Sequence, residues 1–179
     1  PLVEDIDLSR EAFPHMSMRE GRICGVPTRL FRVSFTGELG YEVNVPSDYG
    51  RAVWEAIWAN VEKVGGCAYG TEAMHVLRAE KGFIIVGQET DGSVTLDDLG
   101  LTWAIGKNKR DFVGKRSLTR PDMVKPDRKQ LVGLITEDPK IVLEEGAQIT
   151  REAEPAKGTP ALGHVTSAYW SDAAGRSIA

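Results

Sequence analysis

One carboxylate in this chain stands where it could do chemistry. Glu42 ends the stretch Phe31-Arg32-Val33-Ser34-Phe35-Thr36-Gly37-Glu38-Leu39-Gly40-Tyr41-Glu42, in which apolar and polar residues alternate on either side of a glycine-bounded turn. The alternation predicts two strands of a tight hairpin, with Tyr41, Val43 and Val45 on one face and Glu42 and Asn44 on the other. A carboxylate fixed on a rigid strand can accept two parallel N–H bonds at once. A ring that shows an N–H and an exocyclic NH2 side by side, as a pterin or a guanine does, would be gripped and oriented by it. The alternative is a solvated strand face on which Glu42 pairs weakly with Arg32 across the hairpin.

Other chemistries find little support. Cys24 and Cys67 are far apart, and His15, His75 and His164 are equally scattered, so no Cys/His metal cluster is expected. Neither a nucleophile elbow nor a phosphate-binding glycine loop occurs. The polar loop Gly87-Gln88-Glu89-Thr90-Asp91-Gly92 has the wrong ligand spacing for a calcium loop. A net charge of -4 gives no field for a polyanion, and the basic run Lys107-Asn108-Lys109-Arg110 lacks aromatic interleaving, so no nucleic-acid partner is expected. Apolar runs are too short to span a bilayer and no leader is evident, which makes a reduced, cytoplasmic setting the expectation. The chain begins without methionine and stops as an apolar stretch opens, and reads as a fragment of a longer polypeptide.

The elements that must position Glu42 follow from pattern. With 179 residues, 41% hydrophobic and 27% charged, the chain can bury a real core. Ser9 could cap a short helix that Pro14 breaks; a strand over residues 16–24 then turns at Gly25-Val26-Pro27 into the hairpin. Pro46-Ser47-Asp48 starts a helix whose Val53, Trp54, Ile57, Trp58 and Val61 form a core-facing stripe, and Gly65-Gly66 stops it. A second helix takes Thr71 as its N-cap, buries Met74 and Leu77, carries Arg78 and Lys81 near its end and stops at Gly82. Residues 83–86 read as a buried strand, residues 99–105 as a further strand carrying Trp103, and residues 111–118 as a turn into a short helix.

From Pro121 the composition changes. A charged, proline-bounded linker leads to short strands at residues 131–136, 146–150 and 162–169. The expected architecture is α+β. An antiparallel sheet with helices on one face fills residues 1–120, and a small all-β barrel domain, truncated at its end, fills residues 121–179.

These pieces resemble the folate-binding aminomethyltransferase family, which includes the T-protein of glycine cleavage. The resemblance rests on Thr36-Gly37-Glu38-Leu39-Gly40-Tyr41-Glu42, on Leu77-Arg78-Ala79-Glu80-Lys81-Gly82 running on to Gly87-Gln88-Glu89, on Trp103-Ala104-Ile105, and on Arg110-Asp111-Phe112-Val113-Gly114-Lys115. Leu131-Val132-Gly133-Leu134 and Gly163-His164-Val165-Thr166-Ser167 resemble its C-terminal barrel. Within the family, Asp7-Leu8-Ser9-Arg10-Glu11-Ala12-Phe13-Pro14 and residues 69–83 resemble the C-terminal half of the α subunits of heterotetrameric sarcosine oxidases.

The resemblance implies that Glu42 holds the pterin ring of tetrahydrofolate, with Tyr41 and Arg78 as further cofactor-binding candidates. It also implies that tetrahydrofolate captures the one-carbon unit of oxidised sarcosine as 5,10-methylenetetrahydrofolate. The partners would be the beta, gamma and delta subunits of such an oxidase, with flavin and NAD bound elsewhere in the holoenzyme. The family's catalytic aspartate would lie upstream, so no base is named here. One departure stands out: T-proteins carry an Arg-Asp pair, whose arginine meets the folate glutamate tail, where this chain has Thr71-Glu72. Tail recognition would pass to Arg78 or Lys81, or to residues outside this stretch. A glycine-cleavage aminomethyltransferase and a non-catalytic folate-fold maintenance factor are the alternative readings.

Overall fold

The computed structural model describes residues 2–179, in two compact units, Pro1–Phe83 and Ile84–Ala179. The first unit is built on an antiparallel sheet of four strands in sequence order, β1 (Val3–Glu4), β2 (Ser17–Ile23), β3 (Val26–Arg32) and β4 (Glu42–Asn44). The tight turn of this sheet lies between β2 and β3. Only Cys24 and Gly25 separate the paired Ile23 and Val26, and both have positive φ, +51° and +76°. A two-residue loop with both residues left-handed twists with its strands. Val26 and Pro27, expected in the turn, already belong to β3. By contrast, β3 and β4 do pair, but the strand expected to run on through Val33 and Phe35 ends at Arg32, and the longer connection 33–41 takes the place of the tight turn expected at residues 37–40. Before β2, Ser9 does cap: its Oγ accepts the Ala12 N–H at 3.3 Å, and Phe13 N–H reaches Ser9 O at 3.0 Å. The result is a single turn rather than a helix.

The core of this unit lies on one face of the sheet. Phe13, Ile23, Leu30 and Val53 are its buried centre, ringed by Val3, Ile6, Val26, Tyr41, Val45 and Ile57. Helix α1 (Gly50–Lys63) therefore packs through Val53 and Ile57, one helical turn apart. Trp54 and Trp58 lie about 100° further round the helix. They stack on each other instead of entering the core, with ring centroids 6.4 Å apart and planes within 2°, and Trp54 is 60% exposed. The stripe expected to be core is thus two rows, of which only one is buried.

Helix α2 (Thr71–Glu80) begins one residue earlier than a Thr71 cap would place it: extended Gly70 is the N-cap and Thr71 the first helical residue. Both helices end in the same way. After α1, Gly66 N–H reaches Val61 O and Gly65 N–H reaches Glu62 O; after α2, Phe83 N–H reaches Arg78 O and Gly82 N–H reaches Ala79 O. Gly65 and Gly82 take the left-handed conformation that this closure requires.

In the second unit, two expected strands are absent. The Ile85 carbonyl accepts from Gln88 and Glu89, so the apolar run 83–86 is irregular and leads into a turn over residues 86–89, with Val86 84% exposed. Residues 99–105 hold a 3-10 turn, Thr102–Ala104, with Trp103 75% exposed. The short helix expected within residues 111–118 is the 3-10 turn Lys115–Thr119. The C-terminal residues form two two-stranded antiparallel ladders, β5 (Gln148–Ile149) with β6 (Gly163–His164) and β7 (Tyr169–Ser171) with β8 (Arg176–Ile178). The strand expected at residues 131–136 is reduced to a bridge between Ile135 and Ile178. The α+β class with a following β unit holds. Among the described residues, no helix is long and apolar enough to cross a membrane.

Candidate functional site

Register decides which side of the sheet Glu42 serves. Leu30 faces Val43 across the β3–β4 ladder, and Phe31 faces Glu42. Directly opposed residues share a face, and neighbours along a strand alternate. Buried Leu30 therefore marks the core side, and Phe31 and Glu42 point to the outer side. Across β2–β3, Met18 is paired with Phe31. A row of thioether, aromatic ring and carboxylate thus crosses three strands on the solvent face. Glu42 is exposed, and among the described residues its carboxylate has no hydrogen-bond or ion-pair partner. On the next rung Arg29 is bonded to Glu20 at 3.1 Å, so that guanidinium is engaged.

The pairing of Glu42 with Arg32 is not formed. Arg32 lies on the core face with Leu30, and its guanidinium donates to Phe13 O. Tyr41 also turns inward. Its ring lies 5.8 Å from the Phe13 ring at 39°, so Tyr41 and Glu42 leave the chain on opposite sides. Arg78 is held in the interior, 2% exposed, with Nη1 donating to Phe83 O at 3.1 Å. Of the three residues singled out, Glu42 is exposed, Tyr41 is half-buried with its ring on Phe13, and Arg78 is buried.

The connection into β4 is tied to the end of α2. Gly37 has φ +86°, and a Cβ there would stand 2.7 Å from Lys81 Cγ, so the lysine stem lies across the glycine. Beyond it, Lys81 Nζ reaches Glu38 Oε1 at 3.1 Å, both side chains about half-exposed. The Thr36 side chain, then Lys81, hold the Glu38 carboxyl below the usual range. Sequence reasoning missed this tie and the neighbours Met18 and Phe31. The Cys24-Gly25 turn was the signal that would have set their register.

In the second unit, the Gly87-Gln88-Glu89 motif serves a structural end. Gln88 Nε2 donates to Thr166 O and Ser167 Oγ, each at 2.9 Å, while Ser167 Oγ donates to Glu89. Asp91 closes its own turn on Ser93 N–H at 2.7 Å. Among the described residues, no cluster of three His, Cys, Asp or Glu could hold a metal.

An acceptor-only carboxylate without an internal partner, beside an aromatic ring and a thioether, suits the edge and face of a flat heterocycle with two adjacent N–H donors.

Residues 1–109 match the GCVT N-terminal domain, and residues 129–179 match the glycine cleavage T-protein C-terminal barrel domain. The chain is 48% identical over 180 residues to sarcosine oxidase subunit alpha of Corynebacterium sp. (strain P-1), covering 99% of this chain and 18% of that protein. It is 37% identical to sarcosine oxidase subunit alpha of Rhizobium meliloti, again over 99% of this chain and 18% of the relative. An aminomethyltransferase of Thermotoga maritima is 32% identical over 178 residues, 99% of this chain and 45% of that protein. The chain thus spans a small part of the sarcosine oxidase subunits and under half of the aminomethyltransferase. With both domain models matched in order along its length, the chain belongs to the glycine cleavage T-protein family.

Proposed function

We propose that this chain forms the tetrahydrofolate-binding part of a sarcosine oxidase alpha subunit. The observation that carries the reading is Glu42, an unpartnered carboxylate fixed on the outer face of a paired strand. Its two oxygens take the adjacent N–H donors of the pterin edge, and Phe31 and Met18 lie under or beside the ring. Tyr41, anchored on Phe13, holds the lead-in to β4 from the core side. Lys81, half-exposed though paired with Glu38, is better placed than buried Arg78 to meet the carboxylates of the glutamate tail. Bound folate would supply the nitrogens that take up the one-carbon unit as 5,10-methylenetetrahydrofolate. The chain's own contribution is to hold the acceptor near the site of amine oxidation, so that capture outruns hydrolysis to formaldehyde.

Flavin and NAD chemistry, the catalytic base, and the beta, gamma and delta subunits belong in this proposal to other parts of the assembly. The names of the Corynebacterium and Rhizobium relatives favour it over a free-standing aminomethyltransferase, as does Thr71-Glu72 in place of Arg-Asp. The proposed division of the chain remains a folate-binding domain over residues 1–120 and a barrel domain over residues 121–179.

Titration with 5-formyltetrahydrofolate, followed by tryptophan fluorescence, tests the reading. Saturable binding that Glu42→Ala weakens supports it; saturable binding that the substitution leaves unchanged sinks it.

A further inference from the structure

Residues 107–120 carry a charge that the rest of the chain does not. Acids outnumber bases over the whole sequence, 26 to 22. Here Lys107, Lys109, Arg110, Lys115, Arg116 and Arg120 share the segment with one acid, Asp111. Arg110, Lys115 and Arg116, together with Asp111 and Thr119, line a surface cavity of about 480 Å³.

The backbone gathers these cations. Gly114, at φ +95°, turns the chain into the 3-10 turn Lys115–Thr119, a conformation in which a Cβ is strained. Lys115 N–H reaches Phe112 O at 3.2 Å and Ser117 N–H reaches Gly114 O at 2.9 Å. Lys115 Nζ donates to Arg110 O, which draws the two ends of the loop together. Thr119 Oγ1 donates to Arg116 O at 2.9 Å.

Counter-charge is scarce. One oxygen of Asp111 accepts its neighbour's N–H, from Phe112, at 3.0 Å. The acid on the adjoining turn, Asp122, is committed to Lys125 at 2.6 Å. Among the described residues, none of Arg110, Lys115 and Arg116 forms an ion pair. Three cations less one carboxylate leave a local charge of about +2 over a shallow, open pocket. A monovalent anion under-compensates that charge; a divalent or higher one balances it. Two guanidinium forks suit paired anionic oxygens, and the lysine adds a point charge.

We propose that this cavity is an oxyanion-binding site for a small ligand with closely spaced anionic groups, of diphosphate or oligocarboxylate type. It stands apart from the folate reading, because Glu42 contributes nothing to it.

Calorimetric titration of the chain with inorganic pyrophosphate at low ionic strength tests the site. Parallel titrations with citrate and with a γ-linked triglutamate tell whether phosphate or carboxylate is the preferred source. Saturable binding of at least one of the three is expected, weakened about tenfold or more by Lys115→Ala and by Arg116→Ala, the loss set by a charge-assisted hydrogen bond. Arg120→Ala removes a cation of the same segment that does not line the cavity, and leaves affinity within about twofold if only general screening changes. Thermal unfolding verifies that each variant is folded. No saturable binding of any probe overturns the proposal. So does an equal loss in Arg116→Ala and Arg120→Ala, which would reduce the effect to net charge.

Discussion

Phe31 and Glu42 stand directly opposite each other on the outer face of the β3–β4 ladder, while their neighbours Leu30 and Val43 face each other on the core side. A slip of one residue in this pairing would bury the carboxylate and expose the core. The position of Glu42 is therefore set by the hydrophobic core that fixes the register, and the carboxylate itself contributes nothing to that core.

Removing Glu42 should consequently separate binding from stability. Glu42→Ala takes away an acceptor with no partner among the described residues, so the unfolding midpoint should stay within the range of ordinary surface substitutions, about 0.5 kcal/mol. Hydrogen bonds to a charged group contribute about 1.5–3 kcal/mol, so reduced-folate affinity should fall about 10- to 100-fold. Glu42→Gln keeps one acceptor and should fall between the two. A variant that loses stability along with affinity would mean that Glu42 is part of the packing.

Much of this arrangement was legible in the sequence, because strand alternation needs only local pattern. Residues 41–45 alternate as read, and Gly65 and Gly82 end their helices as glycines do. What failed depended on partners distant in the chain. The apolar run 83–86 has β character but no strand beside it, and the Ile85 carbonyl turns back on Gln88 and Glu89. Trp54 and Trp58 fit a helical stripe, yet Val53 and Ile57 take the core side, leaving Trp54 exposed and Trp58 half-buried against it. Glu42 was found from its own strand. Met18, two strands away, needed a register that the Cys24-Gly25 turn sets, and reading the turn one residue late concealed it.

The tie between Lys81 and Glu38 should act on binding through the connection into β4. Lys81→Ala removes both the ion pair and the stem lying across Gly37. Since the pair is half-exposed, a loss of about threefold in folate affinity is expected. Raising salt to about 1 M should weaken wild-type binding by a similar factor and the variant less. Lys81→Arg should recover most of the loss. Gly37→Ala should be worse than Lys81→Ala, because it meets a positive φ and a 2.7 Å contact together. Equal salt dependence in wild type and Lys81→Ala would remove the ion pair from the account.

Phe13 should prove the stability determinant of the first unit. It is fully buried, with the Tyr41 ring on one side and the Arg19 guanidinium 5.3 Å from its centroid. Phe13→Ala should cost about 3–5 kcal/mol in urea unfolding. Phe13→Leu, which keeps most of the volume, should cost much less. Tyr41→Phe retains the ring contact and should leave the midpoint nearly unchanged; a large loss there would show that the phenol oxygen carries a hidden bond.

The second unit should betray itself in acid. Asp98 accepts from Arg128 Nε at 2.8 Å, from Arg128 Nη2, and from Thr95 N–H and Oγ1 at 2.7 and 2.9 Å, while its own carbonyl accepts Leu131 N–H at 2.7 Å. The Arg128 guanidinium is the main cause that brings the carboxyl from the ordinary 3.8 down to about 2. A carboxyl depressed in the folded state contributes stability that is complete above the unfolded value and is lost as pH falls through the folded one. Stability from this group should therefore drain away between about pH 4 and pH 2. Asp98→Ala removes the acceptor of Arg128 Nε and Nη2 and of the Thr95 N–H and should lower the stability of the unit near neutrality. It should also flatten the acid limb of the stability curve in that window. If the variant keeps the same acid limb as the wild type, the acid sensitivity belongs to other carboxyls, and the bridge between residues 98 and 128 does not hold this unit together.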